Sequence, residues 1–191
     1  MSKRAEGKKL AILATNGFEQ SELTSPKEAI ENAGGETFVV SPEKGRIQGN
    51  QHREHGDWVD VDVDLEDAKA EDYNALLIPG GLFNPDALRV NQKALDFASA
   101  FFEQKKPVFA ICHGPQVLIS ANLVNGRKMT AVAPIQLDLK NAGAIVTDEA
   151  VVVDKGLVTS RTPDDLPQFN DKIVEEICEG KHEGQLESVT A

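Results

Sequence analysis

The sequence predicts an α/β protein built on a doubly wound, mostly parallel sheet with helices on both faces and short antiparallel additions. Three observations predict it. Short apolar runs recur at "KLAILAT" (9–15), "ETFVVS" (36–41), "NALLIPGG" (74–81) and "KPVFAIC" (106–112), as buried parallel strands require. Helix-like segments alternate with these runs, the order that βαβ units produce. The 191 residues also contain no tract long enough to separate two cores, which favours a single domain.

Each element follows in order. After the first strand, "SELTSPKEAIENAGG" (21–35) reads as a helix closed by two glycines before the strand at 36–41. "HGDWVDVDV" (55–63) alternates apolar and polar residues and reads as a half-exposed antiparallel addition. The amphipathic "NQKALDFASAFFEQ" (91–104) lies between the strands at 74–81 and 106–112, and "LDLKNAGA" (137–144) and "DLPQFNDKIVEEICEG" (165–180) supply later helices. "AVVVD" and "GLVTS" flank Lys155-Gly156 as a hairpin. No repeat interrupts this plan. Residues 1–7 are expected to be a flexible N-terminus, 8–179 the domain, and 180–191 a disordered tail with little to bury.

Composition narrows the function. A net charge of −11 disfavours nucleic-acid phosphates and anionic membranes as partners and leaves small molecules and proteins. The basic start "MSKRAEGKKLAIL" has too short an apolar part and no small-residue cleavage site for a signal peptide. A cytoplasmic location is expected. The longest uncharged run, 107–126, is interrupted by Pro107, His113, Pro115, Gln116, Asn122 and Asn125 and reads as a core strand and helix, not a membrane span. Cys112 and Cys178 are the only cysteines, so neither a disulfide framework nor a CxxC metal site is supported.

Cys112 follows the apolar run "PVFAI" where a doubly wound sheet collects its ligands, at the carboxyl end of a strand. A sharp turn into a helix opened by Gly114 and Pro115 would raise its sulfur above the sheet and favour a thiolate. Its alternative role is to fill core space. Gly80 and Gly81 end another buried strand, where free N–H groups stabilise a developing oxyanion or merely form a tight turn. Glu19 and Glu22 follow the first strand; either carboxyl can shuttle a proton beside a cysteine or favour the start of the next helix. No GxGxxG or GxxxxGK[ST] motif suggests a nucleotide.

Metal readings are weaker. Asp60, Asp62, Asp64 and Glu71 stand at calcium-loop spacing, but Leu65 occupies the position that requires glycine. His52 and His55 form an HxxH near Asp57 with no helix to hold them on one face, so a solvated loop is expected there. Cys178 reads as packing within the last helix.

With "AICHGPQVLISA", "FEQSE", "IPGG" and "TSRTPDDLP", the chain resembles the PfpI family, which contains the PfpI protease and YhbO-like bacterial stress proteins, over about residues 8–179. The resemblance implies a flavodoxin-like fold in which Cys112 is the nucleophile on a strained elbow. It further implies that Glu19 hydrogen-bonds the sulfur, that His113 is the adjacent acid/base, and that the Gly81 and His113 N–H groups form the oxyanion site. Asp86, from a neighbouring subunit of a dimer or dimer-based hexamer, would complete the site; aspartate there matches YhbO-like members, where PfpI has glutamate. The segment "QGNQHREHGDW" departs from both patterns. "CHGPQ" also fits the C-x-G-x-Q pattern of glutamine amidotransferases, but their His-Pro-Glu is replaced by Thr162-Pro163-Asp164, and the only later histidine is His182.

The activity implied is a cofactor-independent one on methylglyoxal or glyoxal and early protein glycation adducts, without a metal. Two alternatives use the same cysteine: an intracellular peptidase in which His113 activates Cys112, and a non-enzymatic redox sensor or holdase chaperone in which Cys112 is oxidised.

Overall fold

The structure is a computed structural model that describes residues 4–186. In chain order its elements are β1 (Lys9–Leu13), β2 (Phe18–Glu19), α1 (Gln20–Asn32), β3 (Glu36–Ser41), β4 (Arg46–Gln51), β5 (Glu54–Asp60), β6 (Val63–Asp64) and β7 (Ala75–Ile78). They continue with α2 (Phe83–Leu88), α3 (Gln92–Glu103), β8 (Val108–Ile111), α4 (Pro115–Ser120), β9 (Lys128–Met129), α5 (Gln136–Asn141) and β10 (Ile145–Val146). The hairpin β11 (Val151–Asp154) and β12 (Leu157–Ser160) and the helix α6 (Leu166–Glu179) complete the domain. No helix among the described residues is long and apolar enough to cross a membrane.

Seven strands form the main sheet in the order β11-β12-β8-β7-β1-β3-β6. Every pairing in it is parallel except the β11–β12 hairpin. The two-residue period of a strand explains why its centre reads as unbroken apolar sequence. In β1, Leu10 and Ile12 enter one core with Ile30 of α1 and Phe169, Ile173 and Ile177 of α6. Ala11 and Leu13 enter the other, with Phe97, Phe101 and Phe102 of α3 and Val117 and Leu118 of α4. Both faces are thereby covered, and ligands are left the carboxyl ends of the strands.

A second sheet, β2-β4-β5, stands beside the first. It corrects the loop expected around His52 and His55: His55 lies in β5, and His52, at φ 58°, belongs to the connection between β4 and β5. The alternation in "HGDWVDVDV" is thus met by an antiparallel hairpin with β4, as expected, and its last residue, Val63, joins the edge of the main sheet beside β3.

Both chain ends also differ from expectation. Ala5 is fully buried and its N–H donates to Ala33 O at 2.9 Å, so it anchors the start of the described chain, while Arg4, Glu6 and Gly7 are exposed. Past α6, Glu183–Leu186 forms a single helical turn in which Gln185 is fully buried. Its side chain accepts from Arg127 Nη2 at 2.8 Å and donates to Lys106 O at 2.9 Å. Arg127, itself fully buried, is the reason: a guanidinium without water needs these acceptors and Asp154. The rest of the expected tail, 187–191, and residues 1–3 lie outside the described residues.

Candidate active site

β8 ends at Ile111, and the next residue, Cys112, has φ 60°. A non-glycine residue in the left-handed region is uncommon and costs free energy, so the surroundings must hold it there. They do so with three backbone bonds: Cys112 N to Ser160 O at 3.1 Å, Val132 N to Cys112 O at 3.3 Å, and Gly114 N to Ile111 O at 2.8 Å. The elbow expected at "CHGP" is present.

Gly80 explains how the neighbouring strand end comes so close. A Cβ on it would lie 2.7 Å from Cys112 Cβ and 2.5 Å from Glu22 Oε2. Only glycine lets the β7 turn pass against the elbow. The N–H groups of Gly81 and His113, the two expected at an oxyanion site, both hydrogen-bond to Cys112.

The carboxyl against the sulfur is that of Glu22, which corrects the assignment of that contact to Glu19. Glu22 is fully buried in the first turn of α1, is hydrogen-bonded to Cys112, and accepts the Gly80 N–H on Oε2 at 2.8 Å. Glu19 precedes the helix, and its carboxylate accepts the His52 N–H at 3.1 Å. The sequence did hold a signal for the difference. Glu22, Pro26 and Ile30 recur every four residues on the buried face of α1, so a carboxyl stands where the helix is otherwise apolar.

Burial pushes the Glu22 carboxyl up to about 8, against the pull of the Gly80 N–H. Its Oε1 has no hydrogen-bond partner, a further reason to keep the proton. Burial and then the Glu22 carboxylate push the Cys112 thiol up as well, while the His113 and Gly81 N–H groups pull it down. This field runs against the thiolate expected from the helix N-terminus, because α4 has only six residues and the sulfur is largely desolvated. The negative charge on sulfur is tolerable only while Glu22 holds its own proton.

His113 Nδ1 lies 3.3 Å from Cys112 Sγ, and burial lowers the pKa of the imidazole, which favours the neutral base. Asp86 does not reach this group within the chain; it stands exposed in the first turn of α2. An open pocket of about 260 Å³ lies over the cysteine, walled by Glu19, Glu22, His52, Arg53, Leu82 and Pro163. Arg53 was not singled out from the sequence, because the hairpin that carries it to the pocket is defined only by strand pairing. Across the turn that holds Pro163, Arg161 grips Asp165 with two nitrogens at 2.9 and 3.1 Å.

The chain is 50% identical to general stress protein 18 of Bacillus subtilis, over 86% of this chain and 94% of that protein. It is 54% identical to an uncharacterized protein of Staphylococcus saprophyticus, over 89% of this chain and 98% of the relative. Among solved structures, a two-domain Anabaena variabilis protein with DJ-1/ThiJ/PfpI-like and ferritin-like domains superposes with a TM-score of 0.82 at 38% identity, covering 88% of this chain and 47% of that one. Drosophila melanogaster DJ-1beta shares the fold, with a TM-score of 0.81 at 24% identity over 99% of this chain and 96% of its own. Residues 8–176 match the DJ-1/PfpI family profile, and with the cysteine elbow and its buried carboxyl at the strand ends, the chain belongs to the DJ-1/PfpI family.

Proposed function

We propose that this protein is a cofactor-independent cysteine enzyme of the stress response, which converts methylglyoxal or glyoxal to the corresponding hydroxy acid. The observation that carries the reading is the fully buried Glu22 carboxyl against Cys112 at the floor of an open pocket, where burial favours its protonated form. As the Cys112 sulfur adds to the aldehyde carbon its proton passes to the neutral His113, 3.3 Å away, and Glu22 gives its own proton to the oxygen that becomes a hydroxyl, leaving Glu22 as the carboxylate. In the resulting hemithioacetal, Glu22 as carboxylate takes the proton from the former aldehyde carbon and returns one to the neighbouring carbon, while the proton of the first hydroxyl passes to the neighbouring oxygen. The first carbon is oxidised to a thioester as the second is reduced, so electrons balance within the substrate. Water then cleaves the thioester to release lactate, or glycolate from glyoxal, and the thiol. Removal of free aldehyde in equilibrium with its early protein adducts would account for an apparent deglycase activity.

The test is lactate formation from methylglyoxal by chelator-treated protein and by Cys112→Ala. Production that disappears with Cys112→Ala supports the reading; no production by the parent, or undiminished production by the variant, refutes it.

One contact favours a second reading, a cysteine peptidase. His113 Nδ1 is within 3.3 Å of the sulfur, the position of an activating base. Cleavage of a fluorogenic peptide that is lost in Cys112→Ala identifies it. Either chemistry is compatible with a shared site, in which Asp86 of a second copy orients His113. The exposed Leu82 and Phe83 beside the pocket, 64% and 67% accessible, support such an apolar contact between copies.

A further inference from the structure

Two carboxylates, Glu176 and Glu179, stand one turn apart at the end of α6, on one side of the helix. Negative charge is disfavoured at a helix C-terminus, and no basic residue occupies this last turn. Gly180, at φ 89°, then turns the chain, and the His182 N–H donates to Lys105 O at 2.8 Å. The imidazole is packed over Gly156, where a Cβ would come within 2.6 Å of its Cδ2. Donor atoms of Glu176, Glu179 and His182 consequently lie within 4.8 Å of one another.

A second observation does not depend on the charge of this cluster. Glu176 is only 5% exposed, and its Oε2 has no hydrogen-bond partner. His182 Nε2 lies 3.0 Å away, an ion-pair distance if the imidazole is protonated, but it makes no hydrogen bond to Glu176 or to any other group. Two buried polar atoms so close that do not hydrogen-bond have their donor and acceptor directions turned off the line between them, and leaving both unmet is costly. A tetrahedral ion bound about 2.0–2.2 Å from an imidazole nitrogen and a carboxylate oxygen holds the two roughly 3.4 Å apart while both point at it, so a shift of a few tenths of an ångström would seat it. The nearby Lys172 is engaged with Glu175 at 2.7 Å.

We propose that Glu176, Glu179 and His182 form a divalent-cation site of the zinc class, with a position left for water, that clips the segment after α6 onto the domain. Nothing in it touches the Cys112 pocket, and it stands whatever reaction that pocket performs. Burial holds the Glu176 carboxyl above its ordinary range, and a bound dication reverses that preference by favouring the charged ligand.

The experiment titrates zinc chloride, by calorimetry, into chelator-treated Cys112→Ala protein, in which the pocket thiol cannot compete. Saturable binding of one equivalent is expected, together with a rise in melting temperature as zinc is added. His182→Asn and Glu179→Gln, each in the same background, should weaken binding about tenfold or more. Glu179→Gln changes an exposed carboxylate and leaves folding intact, so it decides the matter if His182→Asn is unstable. Absence of saturable binding in the parent, or unchanged affinity in either folded variant, overturns the proposal and leaves Glu176 and His182 as an ion pair only.

Discussion

Glu22 and Glu19 are three residues apart, and their burial separates their chemistry. Replacing Glu22 by Gln removes the carboxyl that is hydrogen-bonded to the sulfur, and loss of a general acid/base typically costs about a hundredfold to ten-thousandfold. Methylglyoxal turnover by Glu22→Gln should fall in that range, while Glu19→Gln, which touches the His52 backbone, should stay within about tenfold of the parent. Reversal of the order would return the proton shuttle to Glu19. A pH effect on stability accompanies the first variant. The folded chain keeps the Glu22 proton up to about 8, whereas the unfolded chain releases it near 4.5. Folding therefore takes up a proton between those values, the contribution of Glu22 to stability is complete below about 4.5, and it is lost as pH rises toward 8. Urea unfolding at pH 5.5, 7 and 8.5 should show Glu22→Gln gaining on the parent as pH rises; parallel curves would contradict the raised carboxyl. Cys112 was legible in the sequence because a strand end, a turn glycine and a helix start are all local. The choice between the two glutamates was harder, because it depends on where α1 begins: Glu19 is in β2, and Glu22 is the first carboxyl on the buried stripe.

At the scale of elements, the site depends on two turns that touch. The turn after β7 meets the elbow after β8 through Gly80, and a methyl group there has no room beside Cys112 Cβ and Glu22 Oε2. Gly80→Ala should cost about 1–3 kcal/mol, as overpacking does, and reduce turnover by more than tenfold, about the penalty of a misplaced reacting group. Urea unfolding and a turnover assay measure the two losses; a fully active variant would show that the turn can move aside. A similar argument applies to the segment after α6. Gln185→Ala deprives Arg127 of the acceptor at 2.8 Å and Lys106 O of its donor at 2.9 Å, so it should destabilise the protein by about 1–3 kcal/mol. An unchanged midpoint would mean that water replaces both bonds. The sequence predicts a tail for this segment because "GKHEGQLESVTA" has few apolar residues. Its anchor is polar, and a polar anchor is invisible until the buried Arg127 that needs it is located.

The whole molecule, as one chain, does not complete the proposed peptidase-like triad, since Asp86 is exposed away from His113. The shared-site proposal predicts complementation. Asp86→Ala and Cys112→Ala chains, each inactive alone, should regain part of the activity after subunit exchange, because some mixed contacts pair an intact Cys112 and His113 with an intact Asp86. Turnover that stays at the parental inactive level after verified exchange, or a verified monomer with full activity, refutes the shared site. Dilution below the dissociation constant should lower specific activity for the same reason.

The sequence by itself determined the alternating α/β plan, the strand ends at Gly80, Gly81 and Cys112, and the hairpin at Lys155-Gly156. These follow from periodicity and turn chemistry, whose physical range is a few residues along the chain. Only the tertiary structure decided that Glu22 is the buried partner of Cys112, that β4 and β5 carry His52 and Arg53 to the pocket wall, and that Gln185 docks on Arg127. Each of these joins residues 30 or more positions apart, and burial, which sets a carboxyl's charge and an arginine's need for acceptors, is a property of the assembled core and not of any segment.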